Sequence, residues 1–433
     1  MPGFRSRVYL HIGQPKTGTT FLQQVLWSNR AELASRGVML PGYSHPDHSR
    51  ASRDVRQATR LADDPADSWA GEWDVLTGQA LLSRGAAVIS DEVLAACNPP
   101  QADRAVQSLL SAEVHVVLTV RDIASLLPAE WQENVKCRGT TPWEEWLAGV
   151  ADSASAPDRR RRAWFWTMHD TLAILQMWSQ HIPPDHVHVI TVPRQGPPRT
   201  LWDRFASVLG IDSAGLDVPS ARVNWSLSLA EAEFLRRMNE ALPDGMSEWF
   251  YTRNIKQVLG QSSVSTSEPQ SRLALPPAQA AWATEQSEIL VAALRDSKFD
   301  IVGDVRELLS LPTTDLYVAP TDMPAQELLA AAVHAAAALA NSLYEPGQPA
   351  VRPRQNTGGL RQKVSQLEWT ILNGSWTRHR LRNGSHIALV RRLRVLIWRI
   401  LMHPGRHRLP PDGARDPELT PIPDVHQGQL LDS

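Results

Sequence analysis

Short apolar runs alternate with longer stretches of mixed polarity along the first 310 residues of the chain. Five of these runs are nearly continuously apolar and rich in branched side chains, which is typical of strands buried on both faces of a parallel sheet. They are VYLHI (8–12), GVMLP (37–41), AAVIS (86–90), VHVVLTV (114–120) and VHVITV (187–192). Helix-length stretches lie between them, at 18–36, 101–111, 159–181 and 199–209. The alternation predicts an α/β fold with a central, mostly parallel sheet and helices on both faces.

Local signals mark where two further helices begin. In TPWEE (141–145), Thr141 is the predicted N-cap and Pro142 the first helical residue, and Glu144 follows three residues after the cap. SLAE (228–231) reads as a capping box and predicts a helix that runs to about Leu242.

The pattern changes after residue 310, and it predicts three parts of the chain. Residues 1–310 form the α/β domain. Residues 311–350 form a helical segment and linker, with an Ala-rich helix at 324–344 and a linker rich in Pro, Gly and Arg that starts at 346. Residues 351–433 form a basic helical extension, and its last part, 403–433, has the composition of a disordered tail.

The charge is unevenly distributed between these parts. The whole chain carries a formal net charge of −2, whereas residues 351–410 hold 13 Arg and Lys against one acid, Glu368, which leaves −14 for the remainder. Residues 387–402 place four arginines on one helical face and leucine and isoleucine on the other, and they are too short and too charged to span a membrane. We expect this helix to lie on an anionic membrane surface or to dock onto the globular domain or a partner subunit. Spaced lysines and stacked aromatics suited to nucleic acid are absent from the sequence, so no nucleic-acid partner is predicted.

Cysteine and histidine give little sign of metal or redox chemistry. The two cysteines, Cys97 and Cys137, form no C-x-x-C pair and no disulfide framework. The histidines at 45, 48 and 169 show no ligand spacing, so no metal site is predicted. The first residues lack the apolar core of a signal peptide, which predicts a cytoplasmic protein, with membrane-surface association through 387–402 as an addition.

The strongest chemical signal follows the first predicted strand, in the stretch HIGQPKTGTT (11–20). A loop that leaves a buried strand and opens a helix directs free backbone N–H groups toward one point, where the helix dipole also favours an anion. Glycine at 13 and 18 lets the backbone approach an oxyanion closely, and Lys16 adds a cation. The lysine precedes the second glycine, whereas the nucleotide triphosphatase loop places it just after.

The stretch QPKTGTTFLQ resembles the 5′-phosphosulfate loop of the sulfotransferases, whose pattern is P-K-[ST]-G-[ST]-[ST] followed by an aromatic residue. The resemblance implies that the co-substrate is 3′-phosphoadenosine-5′-phosphosulfate and that no metal is needed. It further implies that Phe21 stacks on the adenine and that Lys16 stabilises charge on the bridging oxygen. The loop residues that it implies for the 5′-phosphate and sulfate are Gly13, Pro15, Lys16, Thr17, Gly18, Thr19 and Thr20.

A second stretch, VVLTVRDIASLLPAEWQENVK (116–136), resembles the 3′-phosphate element of the same family. Arg121, Asp122 and Trp131 match that element, and Arg121 is the implied phosphate ligand. Ile123, Leu126 and Ala129 depart from the pattern, and Ala129 stands where the family has a serine that binds the phosphate. Ser125 lies one helical turn earlier and is the predicted substitute. The alternative is that Arg121 only forms a structural salt bridge.

Two carboxylates end the third predicted strand, in AAVISDEVL (86–94). By resemblance Glu92 is the general base that takes the proton from the acceptor hydroxyl, a role that fits the carboxyl edge of the sheet. Two other interpretations stay open. The pair could be a Walker B strand end, with Asp91 on Mg²⁺ and Glu92 orienting water, or simply solvated acids.

The sequence as a whole predicts a sulfotransferase that moves a sulfuryl group to a hydroxyl or an amine of a carbohydrate, lipid or small-molecule acceptor. Lys16 and Glu92 are the predicted catalytic residues, and Arg253 or Lys256 is a further candidate for the 3′-phosphate. The alternatives are a Mg²⁺-dependent P-loop kinase or ATPase, and a non-catalytic sulfotransferase-like binding protein.

Overall fold

The structure is a computed structural model that describes residues 6–57, 69–156, 163–219, 226–262, 273–310 and 317–343. The predicted basic extension, 351–433, lies outside the described residues, and so does its helix at 387–402. The described residues belong to one compact unit.

A six-stranded sheet forms the centre of that unit, and every neighbouring pair of strands is parallel. The strands are β1 (Arg7–Gly13), β2 (Val38–Met39), β3 (Ala86–Ser90), β4 (Glu113–Val120), β5 (Val187–Thr191) and β6 (Asp300–Val302). The predicted α/β class and all five predicted strands are confirmed. The sixth strand was not predicted, because three partly exposed residues at a sheet edge carry too short a pattern to stand out.

Fifteen helices of the described chain surround the sheet. They are α1 (Thr19–Ser28), α2 (Arg30–Ser35), α3 (His45–Val55), α4 (Glu72–Leu81), α5 (Pro99–Gln107), α6 (Ile123–Lys136), α7 (Trp143–Ser153), α8 (Trp164–His169), α9 (Thr171–Trp178), α10 (Arg199–Leu209), α11 (Leu229–Ala241), α12 (Glu248–Tyr251), α13 (Gln257–Ser262), α14 (Pro277–Asp296) and α15 (Ala325–Ser342). None of the helices in the described ranges is long and apolar enough to cross a membrane.

Three helix predictions are refined by the structure. The stretch 18–36 is two helices, because Asn29 leaves the helical conformation and bonds through its side chain to the backbone oxygens of Val25 and Asp217. The prediction of Thr141 as N-cap is wrong, since Pro142 itself is extended and α7 begins at Trp143. The capping box at 228–231 is confirmed: the N–H of Glu231 donates to Ser228 Oγ, and the N–H of Ser228 donates to Glu231 Oε2.

The strand order β2-β3-β1-β4-β5-β6 determines where a ligand site is expected. The chain fills one side of β1 with β2 and β3, then crosses to the other side with β4, β5 and β6. Ligands of open α/β sheets bind at such a reversal, beyond the carboxyl ends of the strands. The ends of β1, β3 and β4 therefore define the candidate site.

Alternate residues of the strands point to opposite faces of the sheet and pack into two different hydrophobic clusters. Val8, Leu10 and Ile12 of β1 face one cluster, and Tyr9 faces the other. A third cluster joins α6, α7, α11 and α14 around the buried rings of Trp131 and Trp143, and α15 contributes Ala335 to it. The described part of the predicted helical segment thus packs against the α/β unit, while the domain boundary at 310 stays a prediction.

The central position of β4 makes its apolar side chains the most sensitive to truncation. Leu118 is fully buried in β4, which pairs with both β1 and β5. We expect Leu118→Ala to lower the free energy of unfolding by about 2–5 kcal/mol, because it leaves a cavity. Leu110→Ala is the matched control, since Leu110 precedes the same strand and is 63% exposed. Urea denaturation checks both, and equal losses would contradict the assignment of Leu118 to the core.

Candidate active site

Three of the sequence motifs meet at the carboxyl edge of the sheet. The loop after β1 is joined to β4 by the bond from Gln14 N–H to the Thr119 carbonyl, 3.0 Å. The end of β1 just before the loop is joined to the end of β3 by the bond from Asp91 N–H to the His11 carbonyl, 3.1 Å. Arg121 Nη1 reaches the carbonyl of Lys16 at 3.5 Å. The loop, the carboxylate pair and the arginine are therefore close in space, although up to 105 residues separate them in the chain.

The loop can adopt its path only with glycine at two positions. Gly13 has φ +91°, and a Cβ there would lie 2.7 Å from Glu92 Cβ. Gly18 has φ +90°, and a Cβ there would lie 2.5 Å from Leu201 Cδ2. Left-handed backbone angles disfavour a side chain at both positions, and at Gly13 the nearby atoms include the backbone Cα of Glu92 at 2.8 Å, which cannot easily move. Glycine at 13 therefore allows Glu92 to pack directly against the loop.

The threonines of the loop have different environments. Thr17 is buried, and its hydroxyl donates to the Gln14 carbonyl and lies 2.5 Å from Thr119 Oγ1, so it fastens the loop to β4. Thr19 and Thr20 are the first two residues of α1, where backbone N–H groups lack intrahelical acceptors. Thr20 is exposed, and Pro15 and Lys16 are half-buried. The Phe21 ring is 6% exposed and lies in one of the sheet's hydrophobic clusters, so its stacking on adenine stays a prediction.

Three lysines surround a single carboxylate beside this loop. Lys16 Nζ lies 2.7 Å from Glu133 Oε2, Lys256 Nζ 2.7 Å from Glu133 Oε1, and Lys136 Nζ 3.0 Å from Glu133 Oε2. The four side chains range from 9% to 27% exposed. We call this group the lysine cluster; its formal charge is +2.

The lysine cluster strongly favours the ionised carboxylate. Burial by itself raises the pKa of Glu133, but the ammonium groups of Lys16, Lys136 and Lys256 outweigh burial and hold that pKa well below its usual range. Burial lowers the pKa of Lys136, and the neighbouring ammonium groups add to this effect against the attraction of Glu133. The pKa of Lys256 is raised, because its contacts with Glu133 exceed the cost of its burial. The three ammonium groups of the lysine cluster are therefore stabilised in their charged form by the Glu133 carboxylate.

Helix α6 carries the second sequence motif into the site. Asp122 is its N-cap and accepts from the N–H of Ser125 at 2.9 Å, which gives Asp122 a structural role. Ser125, Ala129 and Glu133 follow at intervals of four residues and share one face of the helix. The helix face that lacks the expected serine at 129 therefore presents Glu133 one turn further on.

The two carboxylates after β3 are placed differently. Asp91 is buried and accepts from Ser49 Oγ at 2.6 Å and from the N–H of Val93 at 2.9 Å. Burial and the neighbouring Glu92 raise the pKa of Asp91. Glu92 is half-buried, accepts from Gln23 Nε2 at 3.0 Å and packs against Gly13. Asp91 is thus part of the turn, and Glu92 lies beside the loop.

Two of the histidines considered in the sequence analysis, His48 and His169, are buried. His48 Nε2 lies 2.9 Å from the Pro41 carbonyl, and the N–H of Ser90 donates to its Nδ1; burial lowers its pKa to about 4. His169 is 1% exposed and lies 3.2 Å from Glu130 Oε1. It precedes Thr171, whose hydroxyl accepts from Gln14 Nε2 in the loop.

Sequence analysis identified Lys16, Arg121, Glu92 and Lys256 but missed Glu133 and Lys136. Arg253, the other late candidate, lies over the Trp249 ring, with its guanidinium carbon 5.6 Å from the ring centroid. The one signal for Glu133 and Lys136 was their spacing along the helical face of Ser125. This spacing alone does not predict a cluster, because Lys16 and Lys256 come close to Glu133 only in the folded chain.

Comparison with known proteins gives one distant likeness. Neither the protein-family models nor the curated proteins contain a match to this chain. Among solved structures, the sulfotransferase from Alicyclobacillus acidocaldarius is similar over 54% of this chain and 92% of its own, at 14% identity and a TM-score of 0.34. A likeness at this level assigns neither a family nor an activity.

Proposed function

We propose that the protein is a sulfotransferase that moves a sulfuryl group from 3′-phosphoadenosine-5′-phosphosulfate to a hydroxyl or amine of a carbohydrate, lipid or small-molecule acceptor. The observation that carries the proposal is the lysine cluster beside the glycine-bounded loop of β1. The donor has several anionic groups. This edge of the sheet has the three lysines of the lysine cluster and the free backbone N–H groups at the start of α1, which can bind such groups.

The cluster is suited to bind an anion in exchange for Glu133. A phosphosulfate placed at the loop would bring oxygens to the N–H groups at the start of α1 and to Lys16. Lys16 and Lys256 would then release the Glu133 carboxylate and pair with the ligand. Lysine suits this exchange because its flexible stem lets one ammonium group change partners.

Catalysis would consist of placement and charge stabilisation. The acceptor oxygen attacks sulfur, the bond between sulfur and the bridging oxygen breaks, and 3′-phosphoadenosine-5′-phosphate leaves. Lys16 stabilises the negative charge that grows on the bridging oxygen. Glu92 accepts the acceptor proton, and its position against Gly13 places it next to the loop.

The Mg²⁺-dependent alternative has less support from the residues. It needs Asp91 to direct an oxygen at a metal, but Asp91 is buried, and its two oxygens accept from Ser49 Oγ and from the N–H of Val93 within the turn. The non-catalytic alternative rests on Ala129, and donor binding tests it directly.

The first prediction concerns the nucleotide. In a thermal-shift panel, we expect 3′-phosphoadenosine-5′-phosphate to stabilise the protein in the presence of EDTA, by about 2.7 kcal/mol at 100 times its dissociation constant. Lys16→Ala should lose activity more than binding, because the lysine meets charge that grows in the transition state. Lys298→Ala, on the exposed surface, is the control. Stabilisation by ATP–Mg²⁺ alone would favour the kinase, and no stabilisation by any nucleotide would favour a non-catalytic protein.

The second prediction separates the two carboxylates. Glu92→Gln removes the base but keeps the shape of the side chain, so turnover should fall by about 10²–10⁴-fold, with donor affinity nearly unchanged. Asp91→Asn should change turnover much less and lower the melting temperature, because Asp91 caps the turn. The assay is release of the bisphosphate nucleotide from labelled donor with a panel of hydroxyl and amine acceptors. Full activity in Glu92→Gln would exclude Glu92 as base, and total loss in Asp91→Asn with EDTA sensitivity would support the kinase.

The third prediction concerns Glu133. Glu133→Gln removes the anion that competes with the ligand, so affinity for the bisphosphate nucleotide should rise roughly tenfold, since unit charges a few ångströms apart interact by a few kcal/mol near a protein surface. The protein without nucleotide should melt at a lower temperature, because three lysines lose their counter-ion. Glu145→Gln, on the exposed face of α7, is the matched control. Unchanged or weaker nucleotide binding in Glu133→Gln, measured by calorimetry, would contradict the exchange.

A further inference from the structure

Five titratable side chains form a second cluster at the amino-terminal edge of the sheet. Glu113 and His115 belong to β4, His186 directly precedes β5, His188 belongs to β5, and Asp300 begins β6. Since β4 rises about 3.3 Å per residue over its 8 residues, this edge is roughly 20 Å or more from the lysine cluster. The group is therefore separate from the candidate active site.

The side chains are joined in a row. His115 Nε2 lies 2.9 Å from Glu113 Oε1, and His115 Nδ1 lies 2.9 Å from His188 Nε2. His188 Nδ1 lies 2.6 Å from Asp300 Oδ2. The His186 ring stacks on His115 with 4.3 Å between ring centres.

Neutral rings cannot satisfy this row with hydrogen bonds alone. Two neutral imidazoles carry two N–H groups between them, whereas the row contains three contacts. If each ring donates to its carboxylate, the two facing nitrogens present lone pairs to each other at 2.9 Å. If His115 donates to His188 instead, its Nε2 lone pair faces the Glu113 carboxylate.

We propose that Glu113, His115 and His186 bind a divalent transition-metal ion such as Zn²⁺, with His188 and Asp300 orienting the His115 ring. A metal ion at His115 Nε2 accepts that lone pair and the Glu113 carboxylate together. His115 Nδ1–H then donates to His188 Nε2, and His188 Nδ1–H donates to Asp300. Every nitrogen in the row has a suitable partner, and the histidine–carboxylate support is the usual outer shell of a metal-bound histidine.

The donor atoms are of the right kind and are close to the required spacing. One ligand atom from each of Glu113, His115 and His186 lies within 4.8 Å of the others, and zinc binds imidazole nitrogen at about 2.0–2.1 Å. The buried His115 ring fixes one donor nitrogen, and Glu113 already lies beside it. The half-buried His186 ring stacks on His115, so it has to rotate out of the stack before one of its nitrogens can bind the same ion. The Arg7 guanidinium also attracts the Glu113 carboxylate. Arg7 is exposed, so its side chain can turn into solvent when Glu113 binds a metal ion. Water completes the coordination.

This proposal differs from the sequence analysis, which predicted no metal site. The signal was present in EVH (113–115) and HVH (186–188), where residues two apart on a strand share one face. Only the pairing of β4 with β5 brings the two patterns together.

The test uses the full chain without a polyhistidine tag, stripped of metal and titrated with Zn²⁺ against a chromophoric chelator. We expect one tightly bound Zn²⁺ per chain and a loss of affinity of at least about 100-fold in His186→Ala. We expect a smaller loss in Asp300→Asn, because the Asp300 carboxylate supports His188 and through it the His115 ring. His181→Ala is the matched control, because this histidine is 53% exposed and pairs with Asp103 outside the cluster. Co²⁺ in place of Zn²⁺ should give visible absorption that His186→Ala removes.

Equal Zn²⁺ affinity in the wild type, His186→Ala and His181→Ala would overturn the proposal, and so would the absence of a site in the wild type. If circular dichroism shows that His186→Ala is misfolded, Asp300→Asn decides. Asp300 is not a zinc ligand, so its loss should weaken zinc binding without removing the site, and unchanged binding would overturn the proposal. Binding of 3′-phosphoadenosine-5′-phosphate should be the same with and without Zn²⁺, which separates this site from the proposed sulfuryl transfer.

Discussion

The candidate active site depends on one electrostatic balance, in which Glu133 neutralises part of the charge of three lysines. Like charges this close repel, and burial adds to the cost, so the lysines can assemble only around an anion. The fold provides that anion from α6, while it brings Lys16 from the loop after β1 and Lys256 from the segment between α12 and α13. The same balance leaves a surplus of positive charge where helix α1 begins, and the proposed binding of a polyanionic nucleotide rests on this surplus.

The backbone around this balance is equally constrained. Gly13 and Gly18 hold left-handed angles, and neighbouring side chains occupy the space that a Cβ would need. Thr17 and Gln14 fasten the loop to Thr119 and Thr171 on two other elements. A loop held in this way meets its ligand with N–H groups already directed, so little conformational entropy is lost on binding.

Most of the fold could be predicted from the sequence, because a strand buried on both faces of a parallel sheet appears as a continuous apolar run. The apolar runs of β1, β3, β4 and β5 were located to within a residue or two. The ligand site at the loop after β1 stays a prediction. What the sequence could not supply were the long-range pairs. The role of Glu133 depends on Lys16 and Lys256, which lie 117 and 123 residues away in the chain. Glu113 and His115 meet His186 and His188 only because β4 pairs with β5. Edge strand β6 was missed because its local pattern is too short.

A crystal structure with 3′-phosphoadenosine-5′-phosphate bound in the presence of EDTA tests the central claim most directly. The account predicts that the 5′-phosphate lies against the loop between Gly13 and Gly18, and that Lys16 Nζ has left Glu133 for a phosphate oxygen. A nucleotide bound elsewhere, or a Lys16 that still pairs with Glu133 beside a bound nucleotide, would contradict it.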